Sequence, residues 1–205
     1  ETELTILKGI NLDIKQSESF AILGTSGSGK TTLLSLLAGL DLPSKGEVWI
    51  KGTEITQLSE EDRANVRLNQ VGFVFQGFQL LANLTALENV MLPSELRGEK
   101  NAEERALALL DRVGLSKRVN HQPNQLSGGQ QQRVAIARAF ASSAGILFAD
   151  EPTGNLDSAT GARVIDIMFE LNRELGTTLV IVTHDQMLTK YCDRSLRLES
   201  GVVVS

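Results

Sequence analysis

The chain holds one cysteine, two histidines and four prolines in 205 residues, and only 4% of it is aromatic. A lone Cys192 excludes an internal disulfide, and with only His121 and His184 to join it no Cys/His zinc cluster can be assembled. The prolines are scattered, and there is no internal repeat, low-complexity tract or Pro/Ser linker. Long apolar runs are missing: the best candidates, 32–40 and 177–183, fall well short of the roughly 18 residues that a spanning helix needs. An excess of positive charge is missing as well. Lys and Arg number 20 against 25 Asp and Glu, a net charge of −5, which argues against the basic face of a general nucleic-acid binder. Residues 1–11 carry no basic segment ahead of an apolar one, so they do not read as a signal peptide. The chain opens on Glu1 rather than Met, and the expectation is that its natural N-terminus is missing. Together these absences lead to the expectation of a soluble, intracellular chain.

What is present is a core. Hydrophobic residues make up 41% of the chain, and a chain of this length buries about 70% of its unfolded surface. One large domain, or a domain with a lobe, follows. Ile10, Leu12 and Ile14 alternate with polar residues as in a half-buried strand. Segment 19–24 is a short apolar run that stops at glycine, and 30–40 then carries a helical stripe at 33, 34, 36, 37 and 40. Segments 48–50, 71–75, 145–150 and 177–183 read as strands, and 195–204 as a hairpin turning at Ser200-Gly201. A helix between the last two strands carries Val164, Ile167, Met168, Leu171 and Leu175. The middle, 83–139, reads as helical, with Ala106, Leu109, Leu110 and Val113 at helical spacing and Gly114 placed as a cap. Alternating strands and helices predict a mostly parallel sheet, interrupted by the helical middle as a separate lobe.

Gly24-Thr25-Ser26-Gly27-Ser28-Gly29-Lys30-Thr31 fits G-x-x-x-x-G-K-[ST] between a predicted strand and a predicted helix, the context this motif requires. Its glycines let backbone N–H groups wrap a polyphosphate while the helix that follows, through Thr32, points its positive end at it. Lys30 would bridge the outer phosphates and the Thr31 hydroxyl would ligate Mg²⁺. This motif says only nucleoside triphosphate: kinases, GTPases, helicases and transport ATPases share it. Further on, Ile146-Leu147-Phe148-Ala149 is an apolar strand ending in Asp150-Glu151, then Pro152. Successive strand side chains point to opposite sides, so the two acids can divide the work. Asp150 suits Mg²⁺ through a water, and Glu151 is free to polarise an attacking water as general base.

Leu126-Ser127-Gly128-Gly129-Gln130, followed by Gln131-Gln132-Arg133, resembles the signature sequence of ATP-binding cassette (ABC) ATPases. The order of motifs agrees over nearly the whole chain: the phosphate loop, Gln76 closing the strand 71–75, the signature, Asp150-Glu151, Asn155-Leu156-Asp157 and Thr183-His184-Asp185. Runs 71–76 and 149–157 more narrowly resemble the bacterial lipoprotein-release, macrolide-export and cell-division branch. Read alone, Gln76 closes a strand, His184 sits exposed at another and the signature is a Gly-rich helix start; only their register gives them roles. His121 matches no motif and reads as a surface residue.

The resemblance implies an α/β fold: a P-loop NTPase core with a mostly parallel sheet, an N-terminal antiparallel β region and an inserted α-helical lobe. One nucleotide-binding domain then spans 1–205, with 1–82 and 140–205 as ATPase core and 83–139 as signature lobe. It implies ATP and Mg²⁺ as cofactors, with Thr31, Gln76 and Asp150 at the metal and Glu151, His184, Gln76 and Lys30 at the reaction. It implies a homodimer formed on ATP binding, in which the signature of one copy covers the ATP of the other and Asp157 reaches across. It implies an integral membrane permease as partner, no nucleic acid, and a cytoplasmic place, peripheral on the inner (plasma) membrane. Soluble ABC ATPases of the DNA-repair, chromosome or translation type are the alternative. The former insert long arms or zinc modules for which residues 77–126, between Gln76 and Ser127, are too few, and the latter usually carry two cassettes. The family's adenine-stacking aromatic lies upstream of the first strands. Neither Tyr191 nor Trp49 stands in that place, so selectivity for ATP rests on the resemblance.

Overall fold

Strands whose successive side chains are all apolar must be covered on both faces, and the central strands here are of that kind. The computed structural model describes residues 5–204. In chain order these form β1 (Ser19–Leu23), α1 (Lys30–Leu37), β2 (Trp49–Ile50), β3 (Thr53–Glu54), α2 (Glu60–Gln70), β4 (Val71–Phe75), α3 (Ala86–Leu96) and α4 (Ala102–Arg112). They continue with α5 (Gly128–Ala141), β5 (Ile146–Asp150), α6 (Ser158–Leu175), β6 (Thr178–Thr183), β7 (Arg194–Glu199) and β8 (Val202–Val203), with short 3₁₀ turns between. Among the described residues the main sheet runs β4-β5-β6-β1-β7-β8. All its pairs are parallel except the terminal β7-β8 hairpin. That hairpin turns at Ser200 (φ 47°) and Gly201 (φ 80°), the two left-handed positions that a two-residue turn of matching twist requires.

Period-two alternation sorts the strand residues between two cores. Val74, Leu147, Ala149, Leu179 and Ile181 face the helices α3 to α6. Val71, Phe148, Val180, Val182, Phe20 and Ile22 face α1, Ile50 and Ile55. The expected α/β architecture, with its parallel sheet and inserted helices, is the one observed. Antiparallel pairing ahead of the helical region is confined, among the described residues, to β2 with β3. Ile10, Leu12 and Ile14 are half-buried against exposed neighbours and pack on the second core, but side-chain packing holds this segment and no ladder forms there.

The helix ends follow local chemistry. α1 stops three residues before the apolar stripe does, because Gly39 (φ 68°) takes the left-handed conformation. The Leu40 N–H then closes back to the Ser35 carbonyl at 2.9 Å and leaves Leu40 48% exposed. Gly114 does the same for α4, with the Leu115 N–H to the Leu110 carbonyl at 2.7 Å. The helical middle is three helices and two 3₁₀ turns, and α5 lies against β4. Gly72 makes that approach possible: a β-carbon there would sit 2.9 Å from the Ala139 carbonyl oxygen. Among the described residues no helix is long and apolar enough to cross a membrane.

Candidate functional site

Parallel register brings the motifs together. Phe75 is level with Asp150, Asp150 with Val182, and Leu23 with Thr183. The residues that follow (Gln76, Glu151, His184 and Gly24) therefore leave the sheet along one carboxyl-terminal edge, where open α/β sheets bind their ligands. None of these motifs is near another in sequence; the sheet assembles them.

The phosphate loop is an open turn. Gly27 (φ 78°) and Gly29 (φ 100°) are left-handed, and a β-carbon at Gly27 would meet no heavy atom within 4 Å, so this turn opens onto free space. Lys30 is buried, and its Nζ donates to the carbonyl oxygens of Gly24 and Thr25 at 2.9 Å each. Among the described residues the buried Ser28 Oγ has no partner. A cation folded onto its own loop, beside an unpaired hydroxyl and an open turn, fits an anionic ligand that would take over those bonds.

Asp150 and Glu151 sit in different surroundings. Burial first, and the neighbouring Glu151 second, push the Asp150 carboxyl above its ordinary range, while Lys30 and Thr31 pull it down. Among the described residues no three His, Cys, Asp or Glu side chains form a cage for an ion. The Thr31 side chain hydrogen-bonds the Asp150 carboxyl, and these two oxygens are of the kind that could hold Mg²⁺ together with waters and phosphate oxygens. Glu151 has φ 45°, a left-handed conformation costing a residue with a side chain about 1–3 kcal/mol. Its N–H donates to the Val182 carbonyl at 2.9 Å, Thr183 Oγ1 donates to its Oε2 at 3.2 Å, and His184 Nδ1 lies 3.0 Å from both carboxylate oxygens. The Glu151 side chain is 17% exposed and that of His184 70%, so the acid is sheltered and the imidazole faces outward.

Gln76 is turned toward Asn155, donating from Nε2 to Asn155 Oδ1 at 3.1 Å, while Asn155 Nδ2 donates to the Gln76 carbonyl at 3.0 Å. Gly154 is small for this reason: a β-carbon there would lie 2.6 Å from Gln76 Nε2. Asp157 caps α6, accepting from the Thr160 N–H at 3.0 Å, and hydrogen bonds from the Thr160 hydroxyl first and its N–H second hold its exposed carboxyl below the usual range.

The signature residues stand apart. Among the described residues no hydrogen bond links 126–130 to 24–32. Leu126 is buried, and Ser127 caps α5 reciprocally with Gln130: Ser127 Oγ accepts from the Gln130 N–H at 3.4 Å and Gln130 Oε1 accepts from the Ser127 N–H at 2.9 Å. This leaves the Ser127 hydroxyl proton and the first α5 N–H groups to bind outward. Gly129 is needed for packing too, since a β-carbon there would fall 2.3 Å from Thr160 Cγ2.

Sequence reasoning missed several participants. Thr183 and Asn155 are written in the motifs, but their bonds to Glu151 and Gln76 appear only in three dimensions. Arg138 donates to the carbonyl oxygens of Gln79 (2.6 Å) and Phe78 (3.1 Å). Phe78 and Gln79 are themselves left-handed, at φ 61° and 54°. Burial lowers the Arg138 pKa. Gln132 donates from Nε2 to the Pro152 carbonyl at 2.5 Å. His121 sits 2.8 Å from Arg118 Nη1 and joins none of these groups.

Against known proteins, the family described as ABC transporter matches residues 7–154. The chain is 57% identical over 203 residues to the uncharacterized ABC transporter ATP-binding protein YbbA of Escherichia coli (strain K12), covering 98% of this chain and 89% of that protein. It is 49% identical over 201 residues to the lipoprotein-releasing system ATP-binding protein LolD of Bdellovibrio bacteriovorus, covering 97% and 91%. Among solved structures it superposes on the dimeric ATP-binding cassette MJ0796, in a post-hydrolysis state bound to ADP and Pi, with a TM-score of 0.89 and 45% identity over 98% of this chain and 89% of that one.

Proposed function

We propose, since this chain belongs to the ABC transporter family of ATP-binding subunits, that it hydrolyses ATP between two copies of itself and so drives a membrane permease. The observation that carries the reading is the single sheet edge at which Gln76, Asp150, Glu151 and His184 stand, with Lys30, at the start of α1, close enough for its charge to act on Asp150. Residues 24–32 take the phosphates, with Lys30 exchanging the carbonyls of Gly24 and Thr25 for phosphate oxygens. Mg²⁺, held by Thr31, Asp150 and Gln76, would neutralise charge between the outer phosphates. Glu151 orients and deprotonates the attacking water, and His184 and Thr183 hold its carboxylate in place. Charge developing on the transferred group is met by Lys30 and by Ser127, Gly128 and Gly129 of the second copy, whose free donors make no hydrogen bond to the phosphate loop of their own chain among the described residues. Asp157 lies at that junction. The MJ0796 cassette is dimeric and bound to ADP and Pi by name, which supports a reading with two copies.

Coupling runs through the helical lobe, 83–139, and the segment after Gln76, against which the permease docks. The chain then lies in the cytoplasm, peripheral to the inner membrane. The likeness to a lipoprotein-releasing protein supports outward transport or lipoprotein extraction as the work done. The reading is tested by phosphate release from MgATP. Wild type turns over, and Glu151→Gln, which keeps the shape and loses the base, falls by about 10²–10⁴-fold. Turnover of Glu151→Gln at the wild-type rate overturns it.

A further inference from the structure

Glu151 is the most constrained residue of the site. Its left-handed backbone, at φ 45°, persists only where the surroundings over-determine it. Four bonds hold it from the sheet and from its own loop: its N–H to Val182, its carboxylate to Thr183 and His184, and its carbonyl accepting from the Gly154 N–H at 3.0 Å. A fifth comes from the next peptide, where the Pro152 carbonyl accepts from Gln132 Nε2 at 2.5 Å. Of these partners only Gln132 belongs to α5, the helix that Ser127 caps.

Gln132 is costly where it stands. It is fully buried on a helix whose neighbouring positions, Val134, Ala135, Ile136 and Ala137, are buried and apolar. Among the described residues its Oε1 is buried without a partner. A buried amide with one satisfied side and one orphan is less favourable than an aliphatic residue of its size. Among the described residues the one hydrogen bond of its side chain is the bond to Pro152. Gln132 also lies five residues along α5 from Ser127, about 7.5 Å at the helical rise.

We propose that Gln132 is a positioning residue for Glu151, tying the strained peptide at the end of β5 to the signature helix. Glu151 is then in place for hydrolysis only when α5 is seated. The ATP of the second copy, by engaging Ser127, reports through Gln132 to the carboxylate of this chain. The inference rests on the reading of Glu151 as the general base.

Two variants of the full chain test it, with Glu151→Gln alongside. Gln132→Leu removes the donor and the orphan acceptor together. Its kcat is expected to fall at least about tenfold, the loss of roughly one hydrogen bond of transition-state positioning. Its KM for ATP and its melting temperature stay near wild type. Gln132→Glu donates to Pro152 only when protonated, and burial raises a glutamate's pKa. Its rate relative to wild type therefore climbs as pH falls, while the Gln132→Leu ratio stays flat. If Gln132→Leu fails to fold, the Gln132→Glu profile decides. Glu151→Gln inactive, with both Gln132 variants at wild-type kcat and profile, overturns this inference alone. So does loss that merely follows a lowered melting temperature without pH dependence. Glu151→Gln at the wild-type rate removes the base assignment and this inference with it.

Discussion

Gly24→Ala isolates one contact on which the phosphate loop depends. Gly24 leaves β1 with no left-handed φ to protect, so alanine is excluded by space and not by backbone conformation. Its β-carbon would lie 2.4 Å from Ser28 Oγ and 2.5 Å from the Leu198 carbonyl oxygen. The serine can rotate, but the carbonyl belongs to β7, and its residue is fully buried. Since carbon and carbonyl oxygen approach to about 3.3 Å, the start of the loop must retreat by about 0.8 Å. Overpacking of that order costs about 1–3 kcal/mol of stability. The Gly24 carbonyl also holds Lys30 Nζ, so the lysine moves with it, and a misplacement near 1 Å lowers the hydrolysis rate by about 10²-fold. Urea denaturation and phosphate release from MgATP read the two effects. Gly27→Ala is the control. It faces open space at φ 78°, so alanine there incurs only left-handed strain, a stability cost of about 1 kcal/mol. Wild-type stability for Gly24→Ala, or a larger stability loss for Gly27→Ala, refutes the steric reasoning.

Asp150→Asn is expected to stabilise the nucleotide-free protein at pH 7. Because burial and Glu151 raise the folded-state pKa of Asp150, the stability it contributes is fully present below the unfolded aspartate value and lost as pH rises through the folded one. The gain from Asn is about 1 kcal/mol or less, since the group is only partly buried. It vanishes in acid, and saturating MgATP reverses the order by stabilising wild type; parallel melting curves across pH contradict this. Cys192, whose thiol burial and Asp193 push up to about 12, is expected to react with iodoacetamide at pH 8.5 at least about 100-fold more slowly than an unperturbed thiol, because the thiolate is the nucleophile. Equal alkylation rates for native and urea-unfolded protein contradict it. In a mixed dimer, Ser127→Arg in one copy should impair the site whose phosphate loop lies in the other, and equal loss at both sites counts against the shared geometry.

How much was legible in the sequence depended on whether an element is specified by its own residues. β4, β5 and β6 are short apolar runs with polar or glycine boundaries (Gln70 and Gln76 around β4, Gly145 and Glu151 around β5, Gly176 ahead of β6), and their places follow directly. α2 does not: no residue of it is fully buried, so it has no apolar stripe to read. Its local signs are Ser59, whose hydroxyl accepts from the Asp62 N–H at 3.2 Å, and the acids Glu60, Glu61 and Asp62 in its first turn with Arg67 in its last. The stripe through Leu40 overran α1 because periodicity is blind to a left-handed glycine. At the site, the motif residues were readable one by one, but their partners were not. Gln76 and Asn155, or Gln132 and Pro152, pair across the fold, and a buried glutamine on an apolar helix carries no periodic signal of what it holds. Gly129 reads as an anion-binding turn, and its contact with Thr160 adds a second reason for glycine that only packing reveals.

The central claim is that two copies of this chain share each ATP. Light scattering of Glu151→Gln with and without saturating MgATP tests it most directly, since hydrolysis no longer dissolves the assembly. The account predicts twice the monomer mass with MgATP, reverting to the monomer mass when Ser127→Arg is added to the same chain. A monomer mass for Glu151→Gln at saturating MgATP would contradict it.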